Sequence, residues 1–123
     1  MPTVRSHDTT HDVPAGTRLV HALEAMGTGV GHRCGGKARC TTCRVTFASG
    51  EPDAMTVAEA DKLRDQGLLG EVRLACQIVV EQDMEVTPLM TVEGEGWPDP
   101  GPTPTDDVEP EPTWTTRDAA RND

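Results

Sequence analysis

A small α+β domain with one long irregular loop, followed by an acidic proline-rich tail, is what this sequence predicts. Three observations carry that prediction. Short segments of alternating polarity are interleaved with two segments of helical periodicity. The stretch from residue 33 to 43 has neither period and holds three of the four cysteines. The composition then changes: residues 1–90 carry nine basic and twelve acidic side chains, whereas residues 91–123 carry two basic, nine acidic and six of the ten prolines.

The elements follow in order. Thr3-Val4-Arg5 starts one strand and Thr9 to Val13 a second, with Ser6-His7-Asp8 as the turn. Pro14-Ala15-Gly16 breaks that run, and Thr17 is a good N-cap for a helix. Its apolar face is Leu19, Val20, Leu23 and Met26, and Gly27 and Gly29 end it. Arg44 to Ala48 alternates as a strand, with Val45 and Phe47 on one face. Thr56-Val57-Ala58-Glu59 reads as a capping box, opening a helix that Gly67 stops. Val72 to Val80 is strand-rich, and Met84 to Thr87 is a last short strand.

The tail has little to bury. Between Pro98 and Pro112 its only apolar side chain besides proline is Val108. Such a segment cannot offset its ordering entropy, so residues 93–123 are expected to be mostly disordered, with few contacts between 98–123 and a domain spanning 1–92. Trp97 and Trp114 are its candidate docking side chains.

Charge and length exclude several functions. The 123-residue chain carries a formal net charge of −10, which repels nucleic acid. No apolar run approaches the roughly 18 residues of a membrane span. Residues 1–13 show no signal-peptide pattern, which predicts a cytoplasmic location. No phosphate-binding glycine loop and no nucleophile with a paired base is present, so no catalytic activity is expected. His7, His11 and His21 lack a spacing that places them on a metal and read as surface residues, whereas His32, two residues before Cys34, is placed to approach a metal there. Met26, Met55, Met84 and Met90 read as gap-filling apolar residues.

Chemistry concentrates on Cys34, Cys40, Cys43 and Cys76, spaced C-x5-C-x2-C-x32-C. Without a secretory signal, two structural disulfides are the weaker reading. Four thiolates suit a tetrahedral zinc or an iron–sulfur cluster. Zinc ribbons present two short knuckles, each giving a pair of ligands. Here one loop gives three cysteines and a remote residue the fourth, which suits two irons. Gly35 and Gly36 allow close backbone approach, and Thr41 and Thr42 offer hydroxyl donors. A cluster of two ferric ions, two sulfides and four thiolates carries a charge of about −2, and about −3 once reduced. Arg33, Lys37, Arg39 and Arg44 provide compensating charge, and no acid lies between Glu24 and Glu51.

Two segments, Arg33-Cys-Gly-Gly-Lys-Ala-Arg-Cys-Thr-Thr-Cys-Arg-Val45 and Arg73-Leu-Ala-Cys-Gln77, resemble the [2Fe-2S] ferredoxins of the plant-type and adrenodoxin-type superfamily. The resemblance covers roughly residues 2–90. It implies a β-grasp fold, a [2Fe-2S] cluster on Cys34, Cys40, Cys43 and Cys76, and one-electron transfer between a ferredoxin reductase and an acceptor enzyme. Plant-type ferredoxins have four residues between the first two cysteines. The five found here match the adrenodoxin type, reductase-fused domains and small bacterial relatives, so photosynthetic transfer is not expected. Adrenodoxin-type docking uses acids on the helix after the loop. The matching region has Glu59, Asp61 and Asp65, but also Lys62 and Arg64. A monomer is expected. The alternatives are a zinc-stabilised interaction module and a cluster-bearing sensor or assembly factor.

Overall fold

The computed structural model describes residues 2–6, 9–27, 29–32, 42–98, 101, 105, 107, 108 and 111–122. Of the expected Ser6-His7-Asp8 turn, Ser6 belongs to the first strand and His7 and Asp8 lie outside the described residues, as does most of the cysteine loop with Cys34 and Cys40.

Strands β1 (Thr3–Ser6) and β2 (Thr9–Asp12) form an antiparallel pair, as the sequence predicts. Next come β3 (Thr17–Arg18) and helix α1 (Leu19–Ala25). Strand β4 (Arg44–Ser49) leads to β5 (Ala54–Thr56) and helix α2 (Val57–Asp65). Strand β6 (Arg73–Leu74), a 3-10 turn (Ala75–Gln77) and β7 (Val79–Val80) follow. Strand β8 (Met84–Pro88) closes the main sheet, whose order is β2-β1-β8-β4-β6. Only the β1–β8 pair is parallel among its described pairings; the others are antiparallel. A short helix α3 (Val92–Glu95), strand β9 (Trp114–Thr116) and helix α4 (Arg117–Asn122) complete the described chain.

Helix α1 covers the core through Leu19, Val20, Ala22 and Leu23, all at most 1% exposed. Burying one such Leu or Val side chain is worth about 1.5–3 kcal/mol. The helix start differs from expectation. Thr17 is not its cap: Thr17 pairs with Val80 in β3–β7, and its hydroxyl donates to the Pro14 carbonyl at 2.7 Å. Arg18 occupies the cap position without a side-chain capping bond, and the Leu19 N–H donates to the Ile78 carbonyl at 2.8 Å. A tertiary carbonyl therefore does what a local hydroxyl usually does.

Helix α2 starts where the sequence places it. The Thr56 hydroxyl accepts the Glu59 N–H at 3.0 Å. Only this half of the capping box forms, because the Glu59 side chain turns inward and is fully buried. Gly50 makes the turn after β4 at φ +75°, and a Cβ there would collide with the Asp83 carbonyl, so only glycine fits.

The expectation of few contacts between residues 98–123 and the domain does not hold for the described residues. Strand β9 pairs antiparallel with β5, from Ala54↔Thr116 to Thr56↔Trp114. Arg117 bridges Asp53 at 2.5 Å and Glu51 at 3.1 Å. Its hydrogen bond with Asp53 raises its pKa above the usual arginine range. Ala120 is 2% exposed, and its carbonyl accepts from Arg64 at 2.8 Å. Ladder bonds and ion pairs hold this segment, with Ala120 adding a small apolar contact to the core. Among the described residues, no helix is long and apolar enough to cross a membrane.

Candidate metal centre

Two of the four predicted ligands come together. Cys43 sits in the turn before β4, and Cys76 is the middle residue of the 3-10 turn. They are 3% and 0% exposed. The ladder that aligns them is short: Arg44 pairs with Leu74 and Val45 with Arg73. The Ala75 N–H extends it by donating to the Cys43 carbonyl at 3.0 Å. The Cys76 N–H then points at the Cys43 Sγ, 3.5 Å away. No disulfide joins the two.

The run from Val72 to Val80 is thus not one strand. The 3-10 turn breaks it between β6 and β7 and aims Cys76 inward. Gln77 supports the same sulfur. Its Nε2 lies 3.6 Å from the Cys76 Sγ, and its Oε1 accepts the Thr56 hydroxyl at 2.7 Å. Thr56 therefore caps α2 and orients the amide beside the cysteine. Buried sulfurs that receive N–H donors are suited to carry thiolate charge, so the donor set fits iron–sulfur ligation. Such a group, when bound, accepts and releases one electron.

A buried ion pair fixes the strand entering the 3-10 turn. Arg73 donates to Glu59 through Nε at 2.8 Å and Nη2 at 3.2 Å, and the Leu74 N–H donates to Glu59 at 2.8 Å. Arg73 also donates to the carbonyls of Pro52 and Ala54, at 2.8 and 2.9 Å. Burial pushes the Glu59 pKa above the usual glutamate range, against the opposing pull of Arg73 and the Leu74 N–H. Glu59 faces the interior and so cannot belong to an acidic docking surface; Asp61 is exposed and pairs with Arg64 at 3.1 Å.

Both edges of the cysteine loop are packed. Gly31 lies against Trp97 and Thr42: a Cβ on Gly31 would come within 2.7 Å of the Trp97 ring and 2.8 Å of the Thr42 carbonyl. His32 is 2% exposed and contacts the Glu24 carboxylate, which gives it a role in the fold. His21, expected to have only a surface role, reaches the Thr105 carbonyl at 2.8 Å. His7 is outside the described residues. Met55 and Met84 fill the core at 2% and 3% exposure. A cleft of about 250 Å³ between Val45, Phe47, Leu69 and Arg117 is lined by neither cysteine.

Sequence reasoning missed Arg18, Thr56, Gln77 and Trp97 as neighbours of the site. Gln77 adjoins Cys76 in the sequence and was the one within reach. The others arrive through tertiary contacts that no local pattern announces.

A β-grasp sheet that brings two buried cysteines together across 33 positions has the architecture of a ferredoxin-type domain. Residues 3–81 match the model of the 2Fe-2S iron-sulfur cluster binding domain, and the chain belongs to that family. The family match decides for iron–sulfur over zinc. Among solved structures, the ISC-like [2Fe-2S] ferredoxin from Pseudomonas putida JCM 20004 is 28% identical with a TM-score of 0.58, covering 71% of this chain and 91% of that one. The ferredoxin from Rhodopseudomonas palustris HaA2 shares the fold at 24% identity and a TM-score of 0.51, covering 72% and 96%. One subunit of the Na(+)-translocating NADH-quinone reductase of Klebsiella pneumoniae is 36% identical over 73 residues, 59% of this chain and 18% of that protein. Its counterpart in Idiomarina loihiensis is 39% identical over 71 residues, 58% and 17%. The chain thus spans less than a fifth of the length of these two relatives.

Proposed function

We propose that this chain shuttles single electrons between a reductase and an acceptor enzyme, with Cys34, Cys40, Cys43 and Cys76 all ligating its [2Fe-2S] cluster. The loop would supply three of those ligands and the 3-10 turn the fourth, Cys76. The observation that carries the reading is the approach of the Cys76 N–H to the Cys43 Sγ, which brings the backbone of one buried cysteine against the sulfur of the other. The protein acts as a carrier without a substrate site of its own, as a monomer in the cytoplasm. Residues 1–92 form the cluster domain, and residues 93–123 are an acidic proline-rich extension that packs back on it through Trp114–Thr116 and Arg117. The names of the NADH-quinone reductase relatives favour an NADH-linked reductase as the electron source.

The proposed docking charges are Lys37 and Arg39 of the cysteine loop, basic residues on an otherwise acidic chain. That asymmetry orients encounter with an acidic partner surface and makes transfer salt-dependent.

Cys76→Ser tests the ligand assignment. The variant is expected to lose its visible absorption bands and the EPR signal of its reduced form. A normal spectrum in that variant overturns the assignment.

A further inference from the structure

Arg18 is a charged side chain that the apolar core cannot explain, and it lies directly behind the site. It is 1% exposed. Its Nε and Nη2 both donate to the carbonyl of Cys76, at 3.1 and 2.7 Å. Its Nη1 donates to the carbonyl of Thr105 at 2.6 Å. His21, one turn further along α1, reaches that same carbonyl at 2.8 Å. The Thr105 hydroxyl donates to the Asp107 carbonyl at 2.9 Å, and Val108 is 8% exposed.

A guanidinium is costly to bury, and a fork on one carbonyl holds it in a fixed place. Reduction adds one negative charge to the cluster. A fixed cation beside a ligand's backbone favours the more negative state, and more strongly where water is kept away. The tail covers one side of that cation.

We propose that Arg18 is a positioning residue for the cluster: it fixes the carbonyl of Cys76, favours the reduced state by its charge, and couples that state to the docking of the tail at Thr105. The proposal rests on Cys76 being a ligand, and the experiment separates the two.

The full-length chain with its cluster is compared with R18Q, R18K and V108D. Dithionite titration followed by visible absorbance gives the midpoint potential, and hydrogen exchange over 105–108 reports tail docking. R18Q is expected to lower the equilibrium constant for reduction about tenfold, which is about 59 mV for a one-electron couple. R18K restores most of the potential, because the charge returns. V108D raises exchange in the tail, shifts the potential less in the same direction, and adds nothing in the R18Q background. Wild-type potentials in R18Q and V108D, with visible bands intact, overturn the proposal and leave the carrier function standing. Should R18Q fail to retain the cluster, V108D decides: increased tail exchange with an unchanged potential overturns the coupling. Absence of visible bands in the wild-type chain overturns the carrier reading itself.

Discussion

Replacing Glu59 by Gln removes one charge from a pair that holds β6, the strand leading to Cys76. The Glu59 carboxylate is fully buried and accepts three N–H bonds, two from Arg73 and one from Leu74. The amide is the same size but presents an NH2 group to a donor. Arg73 keeps the Pro52 and Ala54 carbonyls, and Glu51 at 3.3 Å. Breaking one partner of a buried pair costs about 3–5 kcal/mol, and the retained Glu51 contact sets the expectation near about 3. That is a large share of the roughly 5–15 kcal/mol that stabilises a domain. Urea unfolding followed by circular dichroism should show a lower midpoint with an unchanged slope. The pH dependence has a definite sign. Burial raises the folded-state pKa of Glu59 above the ordinary 4.5, so in that window the folded state binds more protons than the unfolded state. The stability this group contributes is therefore greatest below 4.5 and declines as pH rises through the folded pKa. E59Q should lack that decline. A midpoint equivalent to less than about 0.5 kcal/mol of change, typical of surface substitutions, would refute the reasoning.

Gly31→Ala should loosen both edges of the cysteine loop, because its Cβ would crowd the Trp97 ring and the Thr42 carbonyl. Visible absorbance under chelator challenge should decay roughly tenfold faster, at the low end of the 10–100-fold effects of supporting residues at metal sites; an unchanged decay rate contradicts this packing account. Removing iron and sulfide should lower the melting temperature by about 10 °C or more, equivalent to roughly 2 kcal/mol for a domain of this size. Equal melting of the two forms in scanning calorimetry would show that the metal centre adds nothing to folding.

What the sequence makes legible is local. The Thr56 cap, the buried Val45 of β4 and the glycine turns depend on residues within a few positions of one another, and they stand where the pattern places them. The convergence of Cys43 with Cys76 is long-range, yet the spacing of four thiols already required it. Illegible were features fixed by partners elsewhere in the chain. Thr17 and Arg18 form a two-residue strand because Val79 and Val80 pair with them, and no two-residue segment has a periodicity to read. Glu59 fits a capping box by sequence, but buried Arg73 competes more strongly for its carboxylate. Counting apolar side chains misjudges the tail. Trp114–Thr116 docks through main-chain bonds to β5, and Arg117 through acids at 51 and 53.

The parallel pairing of β1 with β8 has a consequence for biosynthesis. Val4 lies opposite Met84 and Arg5 opposite Glu85, a separation of 80 positions in each case. A ribosome adding about 5–20 residues per second needs roughly 4–16 s to cover that interval. Throughout it, β1 has no β8 to lie against. Such distant pairings also form slowly, since chain entropy must be lost before the contact is gained. Cys76 precedes β8 by only eight positions, so the fourth thiol and the closing strand emerge together. On the proposed ligation by all four cysteines, iron and sulfide delivery is confined to the end of translation of this segment or later, with the three earlier thiols kept reduced in the meantime.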